Sequence, residues 1–146
     1  MAILTITQAQ STSDALRGVG VDPVIFYDWD IKTLFGSAVA GDVIETPVFD
    51  LNAMAPKCNR LVSQKLMAAA AADTLKLLVS ANGTNWYTAP LYNGGTGGGT
   101  AVANANATEV ALTGLPSFRY VKAQLTLAGA LSAQTAARLG LSFMRF

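Results

Sequence analysis

Histidine is absent from this chain, cysteine occurs once, and charged residues fill only 13% of its 146 positions. Each shortage removes a class of function. Without histidine the commonest general base and the commonest metal ligand are both missing, and Ser-His-Asp catalysis cannot be assembled. Cys58 has no partner for an internal disulfide. With no histidine to activate it, it reads as a small buried hydrophobe rather than a nucleophile. The net charge is +1 and the ten Lys and Arg residues are dispersed, so the basic stripe of a nucleic-acid binder is lacking. No apolar run reaches the roughly eighteen residues of a membrane-spanning helix. The opening MAILTITQAQ has neither the basic region nor the long apolar stretch of a secretory signal, and synthesis in the cytoplasm without export is expected. Neither a nucleic-acid nor a membrane partner is expected, nor any cofactor.

Globular domains run at about a quarter charged. A soluble monomer with so few charges is poorly protected against association. Two readings follow: much of the surface is covered by neighbours, or alanine inflates the 51% hydrophobic fraction of an ordinary small domain. The length suits one domain with a sizeable core.

What is present is alternation. In TLKLLVSANGTNWY (74–87), Leu75, Leu77 and Val79 fall on one face and Lys76 and Ser80 on the other. Such a period marks a half-buried strand. Asn82-Gly83 then signals a tight hairpin turn, followed by a strand over 85–90. FRYVKAQLTL (118–127) alternates again, with Val121, Ala123, Leu125 and Leu127 against Lys122, Gln124 and Thr126. So does ARLGLSFMRF (137–146), with Leu139, Leu141 and Phe143 on one face. Residues 2–7 form a first strand or an arm. Residues 8–20 read as a loop, with a helical turn after Ser13-Asp14 at most. VDPVIFYDWDIKTLF (21–35) reads as a strand with Tyr27, Trp29 and Ile31 on one face, and 36–41 as a turn. VIETPVFDL (43–51) is a strand with an edge or bulge at Pro47, which cannot donate to a ladder. KCNRLVSQKLMAAAAA (57–72) is ambiguous between helix and a strand running into an alanine-rich loop, and the strand is preferred. The glycine-rich NGGTGGGT (93–100) reads as a mobile loop or tight crossover. It lacks the Lys-Ser/Thr of a phosphate loop. TEVALT (108–113) is a further strand. Many short strands with close turn signals and no convincing long helix point to an all-β sandwich or jelly roll.

The candidate chemistries are thin. Asp22, Asp28 and Asp30 are the only acidic cluster. Calcium needs six to eight oxygen ligands as a rule, and a solvated strand face is the better reading. Glu45, Asp50 and Glu109 are carboxylates with nothing to pair them. Ser63 and Lys65 share a strand face, a spacing common by chance. No nucleophile and base can be brought together, so no enzyme is expected. The set Phe26, Tyr27, Trp29 and Phe35 is dense for one strand face. Either it is core, or it meets a neighbour, since interfaces are rich in aromatics.

The segments Phe49-Asp50-Leu51, Val79-Ser80-Ala81-Asn82-Gly83-Thr84-Asn85-Trp86 and Phe118-Arg119-Tyr120-Val121-Lys122 resemble, in that order, the motifs of discoidin-like, or galactose-binding-like, jelly rolls. The likeness spans about residues 43–146. It implies a jelly-roll β-sandwich with Trp86 packed at its edge and Arg119-Tyr120 anchoring the facing strand. The same pattern, in an Ala/Gly/Thr-rich chain, is similar to small structural proteins of tailed bacteriophages. That likeness implies residues 1–42 as an N-terminal arm and extension packing on a sandwich of residues 43–146. It implies a capsid decoration or cement protein on the virion surface, with the major capsid protein and copies of itself, three to a ring, as partners. The assembly interface would draw on Ile3, Leu4, Ile6, Phe26, Tyr27, Trp29 and Phe35. The alternatives are a carbohydrate-binding module with glycan contacts near Trp86-Tyr87 or the glycine-rich loop, and a tail or baseplate component.

Overall fold

The alternating segments become ladders of two facing sheets. The computed structural model describes residues 1–7, 24–53, 60–67, 73–89, 91–93, 96–99, 102–103, 109–114 and 118–144. Within them the strands are β1 (Ile3–Thr5), β2 (Val24–Asp30), β3 (Val43–Glu45), β4 (Phe49–Asp50), β5 (Arg60–Met67), β6 (Thr74–Ser80) and β7 (Tyr87–Thr88). They continue with β8 (Leu91–Asn93), β9 (Thr96–Gly99), β10 (Val102–Ala103), β11 (Glu109–Gly114), β12 (Tyr120–Thr126) and β13 (Ala137–Met144). One short helix, α1 (Ile31–Leu34), follows β2. The first sheet has the order β1-β3-β12-β6-β10, with β4 also on β12 and β7 also on β6; the second has the order β2-β13-β5-β11-β8-β9. The β1–β3 pair is parallel; the other pairs among the described residues are antiparallel.

The sequence period explains which faces meet. On β12, Val121, Ala123 and Leu125 are buried and stand opposite Val79, Leu77 and Leu75 of β6. On β13, Ala137, Leu139, Leu141 and Phe143 are fully buried. The two faces join through aromatics: Phe49 of the first sheet lies 4.8 Å from Tyr27 and 5.0 Å from Phe143 of the second. Each such side chain contributes roughly 1.5–3 kcal/mol on leaving water. The expected β-sandwich is therefore present.

Several local expectations change. The strand read through residue 35 stops at Asp30. There the Asp30 carboxylate accepts from Thr33 N–H at 3.1 Å and caps α1. The segment 43–51 breaks at Pro47 into β3 and β4, as a bulge allows. Across the break the Thr46 hydroxyl accepts the Ala123 N–H at 2.9 Å, a bond that a strand carbonyl would otherwise make. The glycine-rich stretch, read as a loop, supplies Thr96–Gly99 as β9, paired with β8; a backbone ladder needs no side chain. Asn82-Gly83 is not a two-residue turn. Only Gly83 has positive φ, at +76°, and pairing resumes at Tyr87 opposite Val79. A type I′ turn requires positive φ at both central positions.

Within the part of the chain expected as an N-terminal extension, β1 is a ladder member of the first sheet and β2 of the second. The loop and turn expected over 8–20, and the alanine run after Met67, lie outside the described residues, as does Cys58.

Candidate functional site

Two surfaces concentrate chemistry-bearing side chains. The first surrounds β1. Asp42 holds this end together: Oδ1 accepts from Ala2 N–H and Oδ2 from Val39 N–H, each at 3.0 Å. These bonds, Val39's first, hold its carboxyl below the ordinary value of 3.8. Ile31 is driven into the core by the turn of α1, and Phe35 N–H closes the turn on Ile31 O at 2.8 Å. Gly36 follows because a Cβ there would sit 2.9 Å from Lys32 O. The Lys32 ammonium donates to Gln134 O and pins α1 to the Leu131–Ala133 turn. As a result Leu34 and Phe35 lie beside the end of β1. With Thr5, Ile6 and Thr7 they line a shallow cleft of about 100 Å³. Met1 (93% exposed), Ile3 (59%), Leu34 and Val39 stand out to solvent.

The residues expected to form an assembly interface differ in exposure. Ile6 (2% exposed) and Trp29 (4%) are core residues, and that expectation is corrected for both. β2 turns its Trp29 face inward, where Tyr27 stacks on Trp29 at 5.8 Å and meets Phe143 edge-on at 6.0 Å. Leu4, Tyr27 and Phe35 are half-buried against the same core. Among the described side chains of the set, Ile3 alone is mainly exposed; the side chain of Phe26 lies outside the described residues. Sequence reasoning missed Leu34 and Val39. A strand carried through residue 35 gave Leu34 no special place, and no local pattern marks Val39.

The second surface is the hairpin end of the first sheet. Ser80 Oγ accepts from Gly83 N–H at 2.9 Å, and Asn82 Oδ1 accepts from Thr84 and Asn85 N–H, each at 2.9 Å. These side-chain bonds stand in for a tight turn. Arg119 donates from Nε and Nη2 to the two Asp50 oxygens at 3.0 and 2.9 Å, and its guanidinium lies 5.0 Å from the Tyr120 ring centre. The pair lowers the Asp50 pKa and raises that of Arg119. Lys122 pairs with Glu45 at 2.6 Å and sits 4.5 Å over Trp86. Tyr87 (59% exposed) and Phe118 complete the patch.

Asp28, Asp30, Glu45 and Asp50, considered for chemistry, are engaged structurally. Arg138 donates to Asp28 at 2.8–3.0 Å and lies 3.9 Å from Asp30, which puts a guanidinium where a cation would sit. Glu45 and Asp50 are held by Lys122 and Arg119. Among the described residues no three His, Cys, Asp or Glu gather as a metal would need. No described helix is long and apolar enough to cross a membrane. The side chains of Ser63, Lys65 and Glu109 are not among those described, and Asp22 lies outside the described residues.

No family model matches this chain, and no curated protein does. Solved structures do. The PBSX exported protein XepA superposes with a TM-score of 0.55 at 14% identity, over 86% of this chain and 37% of XepA. The chain thus spans little more than a third of that protein's length, and the likeness is one of fold. The SPBc2 prophage-derived protein YomS matches over 87% of this chain and 98% of its own, at 9% identity and a TM-score of 0.48. The periplasmic lysozyme inhibitor PliG of Aeromonas hydrophila matches over 99% of this chain and 96% of its own, at 7% identity and a TM-score of 0.38. The two lower scores carry no argument about this chain.

Proposed function

We propose that the chain is a structural virion protein of a tailed bacteriophage, a decoration protein that binds the major capsid protein and copies of itself at the capsid surface. One observation carries the assembly part: an uncharged edge strand, β1, stands beside the exposed apolar side chains Met1, Ile3, Leu34 and Val39. Exposed apolar groups gathered at an open edge mark interaction surfaces. The sandwich shared with the phage-derived XepA supports the setting. In this reading the chain binds and does not catalyse. Many weak contacts repeated on a symmetric lattice would supply avidity.

The test is light scattering of the purified chain with and without undecorated phage capsids. Co-elution with capsids, lost when Ile3 and Val39 become lysine, supports the reading. A chain that ignores capsids and tail structures alike refutes it. The hairpin surface favours a second reading, a glycan-binding module, because Tyr87 offers an exposed ring beside the cation-capped rings of Trp86 and Tyr120. Glycan-array binding abolished by Tyr87→Ala would favour that reading.

A further inference from the structure

The side chains of MAILTIT carry no charge and the segment has no proline, whereas natural edge strands usually carry one or the other against unwanted pairing. Alternate residues of β1 face β3: Val43 N–H donates to Ala2 O and Ile6 N–H donates to Glu45 O, both at 2.8 Å. In an extended strand the N–H and C=O groups of Ile3 and Thr5 then point the other way. No further strand meets that edge among the described residues.

We propose that this edge pairs with a second copy of the chain, β1 against β1, antiparallel about a two-fold axis at Leu4. Ile3 then exchanges both backbone bonds with the partner's Thr5, and Thr5 with the partner's Ile3. The first sheets of two sandwiches become one.

The surface is complementary to itself, which is why the occupant is another copy. At one end β1 offers the exposed side chains of Met1 and Ile3; at the other it borders the cleft between Thr5–Thr7 and Leu34-Phe35. An antiparallel pair centred on Leu4 sets each copy's Met1 and Ile3 against the other's Thr7 and Thr5, beside that cleft. The Leu4 side chains, half-buried against the core, meet across the axis and cover each other. A strand with the sequence of β1 brings an alternation of aliphatic and threonine side chains, with no side-chain charge to oppose the pairing. The inference deepens the assembly reading, and its test needs no capsid, so the two fail separately.

The full chain is examined by light scattering over a wide concentration range. The expected mass is twice the 15.2 kDa of one copy. Ile3→Lys puts a charge at the paired edge and is expected to weaken the dimer about tenfold or more. Its circular dichroism should stay as it is, and so should its Tm at concentrations too low for the parent to dimerise, since Ile3 is exposed in a single copy. Leu4→Cys, in a Cys58→Ser background, sets opposed Cβ atoms about 4.5–5.5 Å apart, close enough for a disulfide to form under mild oxidation with slight adjustment. Should Ile3→Lys lose the fold, the cross-link decides alone. A mass of one or three copies overturns the proposal. So does a dimer that Ile3→Lys leaves unchanged, or one that Leu4→Cys fails to cross-link.

Discussion

Replacing Thr46 with valine changes one atom's chemistry and almost no volume. Thr46 is 1% exposed, and its hydroxyl accepts the Ala123 N–H at 2.9 Å while donating to Pro47 O at 3.1 Å. The Thr46 N–H donates back to Ala123 O at 3.0 Å, so the backbone partner stays in place in the variant. Valine leaves the Ala123 N–H buried with a methyl group in front of it. A donor stranded in this way costs about 1–3 kcal/mol. The loss should be about 2 kcal/mol, because the site lies in the middle of β12, with β6 on its other side. For a domain of this size that is a fall in Tm of roughly 5–10 °C. Urea unfolding reads the free energy. Amide exchange reads the site, since the Ala123 amide should lose protection before its neighbours. Thr46→Ser keeps the hydroxyl and should recover most of the loss. A Thr46→Val variant within about 0.5 kcal/mol of the parent, with the Ala123 amide still protected, would refute the reasoning: the hydroxyl would then not be the acceptor that closes the bulge.

Other outcomes follow from the same geometry. Gly83→Ala should cost about 1–2 kcal/mol by urea unfolding, because φ at +76° is a left-handed conformation and not because space is short: an added Cβ meets the Tyr120 ring at an ordinary 3.7 Å. Phe143→Ala should cost about 3–5 kcal/mol by the same measure, since the ring is fully buried and touches both Tyr27 and Phe49. Asp42 has a folded pKa below its ordinary 3.8. Its contribution is therefore complete above that value and is lost as pH falls through the lower folded one. Ala2 and Val39 amides should lose exchange protection in that acid window, and Asp42→Ala should remove it at every pH.

The sandwich was legible because its central strands keep a strict period. Val121, Ala123, Leu125 and Leu127 could be assigned to one face without knowing what lay opposite, and so could Leu139, Leu141 and Phe143. Residues whose role depends on a distant partner were not legible. Asp42 lies 40 residues from Ala2, and nothing near it in the chain marks the bond. Asp28 and Asp30 read as a loose acidic pair because Arg138 reaches them across a β-ladder. In the sequence Trp29 stands between core and interface because alternation tells which residues share a face, not which way that face turns. Only Phe49, from the other sheet, decides the question.

The pairing of β2 with β13 has a consequence for how the chain acquires its shape. Those strands face each other across a sequence separation of 110 residues, as the Asp28–Arg138 contact measures. β13 also joins β2 to β5, so the second sheet lacks its connecting strand until β13 has left the ribosome. β2 emerges early and must wait with its Tyr27 and Trp29 uncovered. Loop closure over such distances is slow, and sheets built from distant pairs fold in milliseconds to seconds or longer as a rule. During that interval apolar strands stand unpaired in a crowded cell. Refolding should accordingly be limited by the docking of β13, and lowering the protein concentration should raise its yield.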